Sequence, residues 1–287
     1  IDASGGRWWN VLLENPTSDP LQIVSVLTVH EDPVEMLGSM LDLTVGAEDE
    51  PAPTYPALPV DAVAGQHAYT SETADLDFLL YIPEAYGQDP TREWPLILFL
   101  HGFVDGIQSI EALRRQGFQD KLEQDANFPF IVASPLRTGG RGDFEYWFRE
   151  EHTTPLFRLV EDVSSLYSVD PDHVYLNGES AGGNGVWEIG IQYPDRFAAL
   201  VPVMGYYGYP FEVPDNICDL KDVPIWAFHG ALDEIVPLDA EQSLINALND
   251  CGGQAQITVI PDIGHNLMPE HVYSPELTDW LLSHSLE

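Results

Sequence analysis

The residues in this chain best suited to chemistry are Gly178-Glu179-Ser180-Ala181-Gly182-Gly183. They stand between a short β-branched and aromatic run, His173 to Asn177, and a longer run from Val186 that continues without a breaker to Pro194. A serine held at a sharp turn between strand and helix has its hydroxyl pushed clear of the backbone. Glycines on both sides are needed because a Cβ would collide with neighbouring chain. The start of the helix also brings the Ala181 backbone N–H to where it can face a developing oxyanion. The pattern predicts a nucleophile at Ser180. The plainer reading, a glycine-rich turn capped by serine, is resolved by the partners such a nucleophile needs.

A serine needs a base, and the base needs an orienting group. The segment Phe228-His229-Gly230-Ala231-Leu232-Asp233 puts a carboxylate after an apolar run, and Pro261-Asp262-Ile263-Gly264-His265 puts an imidazole after the next. Asp233 could instead cap the following helix, but Glu234 or Asp239 would serve there equally. Asp262 is a competing orienter that reads better as a cap of its own turn. His229 and His101 directly follow buried runs and read as structural hydrogen-bonding residues, His101 shaping the loop that it opens.

The elements that must carry these residues alternate from about residue 66 onward. Strands are expected over 76–82, 94–100, 128–134, 173–177, 197–204, 224–228 and 255–260. Helices are expected over 107–122, 155–167, 186–193, 238–248 and 275–283. Alternation of this kind gives an α/β fold, a mostly parallel sheet with helices on both faces. Each chemically suggestive residue then falls just past a strand, where open parallel sheets build their sites. Residues 1–65 do not follow the alternation. They read as an N-terminal extension, with a strand at 21–30, an ambiguous segment at 36–45 and an acidic, proline-rich linker from Gly46, ahead of a catalytic domain at 66–287.

With 47 acidic and 11 basic residues, the formal charge is −36, which excludes nucleic acid and anionic membranes as natural partners. Only Lys121 and Lys221 are lysines. Self-repulsion for solubility explains this balance, and so does adaptation to high salt, for which the unfolding midpoint should rise between low salt and molar NaCl. No run approaches the ~20 apolar residues that span a bilayer. The chain starts at Ile1 without a leader, which reads as a secreted protein whose signal has been removed. The terminal Leu286-Glu287 reads as an expression scar. Cys218 and Cys251 could bridge in an oxidising compartment or lie apart as two buried thiols. No C-x-x-C or H-E-x-x-H pattern suggests a metal, and no cofactor is implied.

The order Ser180, Asp233, His265 resembles that of an α/β-hydrolase. So do Pro95-Leu-Ile-Leu-Phe-Leu-His-Gly102, Asp170 to Gly178 and Tyr193-Pro-Asp-Arg-Phe-Ala-Ala-Leu200, and together the matching segments span residues 76–285. The chain is similar to secreted esterases of the polyhydroxybutyrate depolymerase-like, feruloyl-esterase-like and dienelactone-hydrolase-like kinds. That resemblance implies Ser180 as nucleophile, His265 as base, Asp233 as orienter, and the backbone N–H groups of Ala181 and Phe103 as the oxyanion hole. The elbow Gly-Glu-Ser-Ala-Gly points to one subgroup, while His101-Gly-Phe-Val-Asp-Gly106 lacks the His-Gly-Gly-Gly loop expected with it.

Aromatic residues cluster in the loops expected around the serine, with Phe144, Tyr146, Trp147 and Phe148 on one side and Tyr206, Tyr207, Tyr209 and Phe211 on the other. Trp147, Tyr206 and Tyr207 are candidate walls of a pocket for an aromatic acyl group. The expected substrate is a short-chain, aromatic or polymeric ester, taken by a monomer. Two other readings stand beside the esterase: a serine peptidase of prolyl-oligopeptidase type, and a non-catalytic binding module on the same fold.

Overall fold

The run Trp94–Leu100 is apolar at every position, and β3 forms there with all seven side chains buried. Such a strand has no wet face and belongs in the middle of a sheet covered on both sides. Its even residues, Leu96, Leu98 and Leu100, pack into one core, and Ile97 and Phe99 pack into another across the sheet. A computed structural model of the protein describes residues 54–102, 109–137, 147–208, 211–266 and 269–286. All lie in the unit Thr54–Glu287. The segments at 21–30 and 36–45 fall outside the described residues, as do Phe103, Phe144, Tyr146 and Tyr209.

Around β3 the described strands are β1 (Gly65–Ser71), β2 (Leu76–Ile82), β4 (Ile131–Pro135), β5 (Val169–Glu179), β6 (Ala199–Val203), β7 (Ile225–Gly230) and β8 (Ala255–Ile260). They form one sheet in the order β1-β2-β4-β3-β5-β6-β7-β8. The β1–β2 and β2–β4 pairs are antiparallel, and β4 through β8 run parallel. The expected mostly parallel sheet is therefore present, with an antiparallel edge. Residues 54–64 lie along that edge, where Thr70 N donates to Pro56 O and Tyr167 OH to Pro59 O.

Seven α-helices are described: α1 (Ile110–Arg114), α2 (Gly117–Gln124), α3 (Glu150–Leu166), α4 (Ala181–Gln192), α5 (Leu238–Asp250), α6 (Pro269–Val272) and α7 (Pro275–Leu282). One face of the sheet is covered by apolar residues of α3, α4 and α5, among them Leu159, Trp187 and Leu244. The other is covered by Phe118 of α2, Val272 of α6 and Leu281 of α7.

The helix expected over 186–193 begins at Ala181, α6 was not expected, and two further helices differ for reasons of backbone pairing. The single helix expected over 107–122 is two, because Gln116 takes an extended conformation (φ −91, ψ 142) and starts a new helix at Gly117. The helix expected to open at Pro155 begins five residues earlier, with Pro155 inside it. Proline suits the first helical position, which favoured the later start. Here the Arg149 carbonyl receives the N–H groups of His152 and Thr153, both at 2.8 Å, and Glu150 and Glu151 complement the helix dipole.

Cys218 and Cys251 are bonded, with Cα atoms 5.6 Å apart. The bridge ties the 3-10 turn Ile217–Leu220 to the end of α5. It closes a loop of 33 residues, worth about 3–4 kcal/mol in the chain-entropy account. Reduction, or replacement of both cysteines by serine, should lower the unfolding free energy by that much, read as a lower denaturant midpoint. An unchanged midpoint would contradict a stabilising role.

Candidate active site

Ser180 occupies the step from β5 to α4 with φ 55 and ψ −112, a conformation that costs a non-glycine residue roughly 1–3 kcal/mol. Its N–H is held by Val203 O of β6 at 2.9 Å, and its carbonyl accepts the first helical N–H, from Asn184. The turn is possible only because its neighbours lack side chains. A Cβ on Gly182 would lie 1.9 Å from Leu100 O, and one on Gly178 would lie 2.5 Å from Gly182 O. The end of β3 and the start of α4 are thus in backbone contact, which leaves the half-buried serine side chain at the corner of the turn.

Two further loops meet this corner. Past β7, Leu232 N donates to Ile263 O and Ala231 N to Ile260 O, pinning the aspartate loop to the histidine loop that follows β8. Ser180 Oγ lies 2.8 Å from His265 Nε2, and His265 Nδ1 lies 2.7 Å from Asp233 Oδ2. These partners fix the tautomer, with Nδ1–H donating to the carboxylate and Nε2 accepting from the serine hydroxyl. The other oxygen, Asp233 Oδ1, accepts the N–H groups of Ile235 and Val236, both at 2.9 Å. Asp233 is buried, so three N–H donors compensate its desolvation. Asp262, the alternative orienter, is exposed.

His101 ends the β3 run with both ring nitrogens used. Nδ1 faces Gly102 O at 2.8 Å, and Nε2 accepts from Arg137 N at 3.2 Å. Burial, reinforced by the Arg137 charge, pulls its pKa down to about 4, so the ring is neutral and braces the start of the next loop against the end of β4. Trp147 donates its indole N–H to His101 O at 3.0 Å and is 2% exposed. It packs in the core against Gly185 and Leu100 rather than presenting a face to solvent. Tyr206 and Tyr207 remain partly exposed after β6, with Tyr206 set edge-on to Phe211 at 5.4 Å. Ala181 is the first residue of α4, where a backbone N–H has no carbonyl partner within the helix.

Glu179, next to the serine, packs against Gly117 at the start of α2. A Cβ at Gly117 would lie 3.4 Å from Glu179 Oε2. Burial pushes this carboxyl up from 4.5 to about 7. A raised carboxyl favours the folded state when protonated, so its contribution is complete below the unfolded value and is lost as pH rises through about 7. Glu179→Gln should therefore be more stable than wild type at pH 8, by on the order of 2 kcal/mol after allowing for partial exposure, with the gap closing at about pH 5. Equal midpoints at both pH values would contradict this.

The sequence family described as Phospholipase/Carboxylesterase matches residues 151–275, the stretch that carries the serine, aspartate and histidine. A solved ferulic acid esterase superposes with a TM-score of 0.55 over 70% of this chain and 90% of its own, at 18% identity. The protein has the α/β-hydrolase fold. A probable carboxylesterase of Oryza sativa subsp. japonica is 23% identical to the hydrolase over 223 residues, 71% of this chain and 82% of the rice protein. A poly(3-hydroxybutyrate) depolymerase of Ralstonia pickettii is 27% identical over 160 residues, 48% of the hydrolase and 33% of the depolymerase. The hydrolase thus spans most of one relative and a third of the other. Family match and likenesses together indicate a carboxylic ester hydrolase.

Sequence reasoning missed Glu241. It is fully buried on α5 and faces His229. The signal was available, since Leu238, Glu241, Leu244, Ile245 and Leu248 recur at helical spacing, and a glutamate among them must be buried with a partner. Among the described residues no cluster of His, Cys, Asp or Glu could hold a metal ion, and no helix is long and apolar enough to cross a membrane.

Proposed function

We propose that the protein is a serine carboxylesterase that works through an acyl-enzyme. The observation that carries this reading is the continuous chain from Ser180 Oγ through His265 to Asp233, at 2.8 and 2.7 Å. His265 takes the hydroxyl proton as Oγ attacks the ester carbonyl, and Asp233 holds the ring in the required tautomer and stabilises its charged form. The Ala181 N–H at the helix start is one oxyanion donor, and the Phe103 N–H is the second. His265 then protonates the departing alcohol, and water repeats the cycle to release the acid.

The substrates are short-chain, aromatic or polymeric esters. Tyr206 and Tyr207, partly open beside the helix that begins at the serine, supply flat apolar surface for an aromatic acyl group. The disulfide suits an extracytoplasmic setting, and the charge of −36 disfavours polyanionic partners. The test is a panel of p-nitrophenyl acyl esters, methyl ferulate, acetylated xylan and a polyester film. Fast butyrate hydrolysis with inert ferulate and film would remove the aromatic pocket. An aminoacyl anilide cut faster than any ester would replace the esterase with a peptidase.

A further inference from the structure

Asp233 Oδ2 has a second histidine beside it. His229 Nε2 lies 3.4 Å from that oxygen and 2.9 Å from Val236 O. Both neighbours are acceptors, so Nε2 carries a proton. The opposite nitrogen, Nδ1, lies 2.6 Å from Glu241 Oε2, while Glu241 Oε1 accepts from Trp187 Nε1 at 3.2 Å and from Gly205 N at 3.1 Å. His229 and Glu241 are both 0% exposed. The titratable groups facing His229 are Glu241 from α5 and Asp233 from its own loop, with His265 beyond Asp233.

The location of the proton between Nδ1 and Oε2 decides what this pair does. A buried carboxylate that already receives two N–H donors, from Trp187 and Gly205, is favoured as the anion, which leaves the proton on the ring. Burial alone would lower the pKa of His229, but the hydrogen bond and charge of Glu241, with Val236 O and Asp233, outweigh it and raise the value. Burial also pushes Glu241 up, against the pull of His229, Trp187 and Gly205. In either case the pair keeps its shared proton, and the donor set assigns that proton to His229.

We propose that His229 is a charged positioning residue of the triad, held as an imidazolium by Glu241, that offsets part of the Asp233 charge. This rests on the triad reading above. With that offset, Asp233 orients His265 and stabilises the imidazolium that forms during attack less than an uncompensated carboxylate would. The same ring fixes the Asp233 loop through Val236 O. It also links that loop to Gly205 at the end of β6 by way of Glu241.

Glu241→Gln tests this, because its amide oxygen can still accept from Trp187 and Gly205 while its NH2 donates to Nδ1 of a now neutral His229. With p-nitrophenyl butyrate, the acid limb of kcat/KM should move up by roughly half a pH unit or more relative to wild type. A purely structural role would lower the melting midpoint without moving the limb, and a folded Glu241→Gln variant whose limb coincides with wild type overturns the proposal. Side-chain 15N–1H spectra of histidine-labelled wild type give a second readout independent of the variant's folding. Both His229 nitrogens should carry protons at pH 7, and a neutral ring overturns the proposal. Ser180→Ala, run alongside, separates the two levels: retained turnover there refutes the triad itself.

Discussion

Ser180→Ala should lower kcat for p-nitrophenyl butyrate by about 10⁴-fold or more, with the protein still folded. The size follows from what the hydroxyl does. Without Oγ no acyl-enzyme forms, and His265 can at best activate water in a site shaped for a different nucleophile. What remains is the contribution of the oxyanion donors and of substrate binding. The fold should survive because Ser180 meets its neighbours mainly through its backbone, donating N–H to Val203 O and receiving Asn184 N–H. His265→Ala should fall to a similar floor, and the double variant should fall no further, because residues that act as one unit are not additive. A Ser180→Ala protein within tenfold of wild type would mean that the chemistry takes place elsewhere.

Gly182→Ala should be the most damaging single-methyl change in the described structure. The added carbon would sit 1.9 Å from Leu100 O, 2.6 Å from Leu100 C and 3.0 Å from His101 O. All three atoms are backbone, so no side chain can rotate away. Either the end of β3 or the start of α4 must shift, and both belong to the core around Trp187 and Leu98. Overpacking of a close-packed interior costs typically 1–3 kcal/mol, and an encounter with backbone belongs at or above the top of that range. The shift would also displace Ser180, and a displacement of about 1 Å can cost 10²-fold in rate. Thermal unfolding and kcat should therefore fall together. A variant with wild-type stability and rate would contradict the contact.

The parts legible in the sequence were those where one local rule dominates. β2, β3 and β8 match their expected limits because a continuous apolar or alternating run ends at a proline, a glycine or a chain reversal. The convergence of Ser180, Asp233 and His265 was legible because each follows such a run, and a parallel sheet brings strand ends together. The misses share a cause in tertiary contact. The break at Gln116 and the early start of α3 depend on backbone partners that spacing does not encode. β1, GQHAYTS, has polar residues at the sheet edge and gives little periodic signal. Trp147 reads as a pocket wall from its aromatic neighbours, but its indole is spent on His101 O inside the core. Glu241 was readable as a buried carboxylate from its place on the apolar face of α5, but its partner His229, on another strand end, was not.

The central claim, that Ser180 is the nucleophile activated by His265, is tested most directly by covalent labelling. The protein is treated with diethyl p-nitrophenyl phosphate and its mass is measured intact and after digestion. One diethylphosphoryl group per chain should appear, on the peptide containing Ser180, with activity lost in step and no labelling of Ser180→Ala. An inhibited enzyme labelled at another residue, or full esterase activity with Ser180 unlabelled, would contradict it.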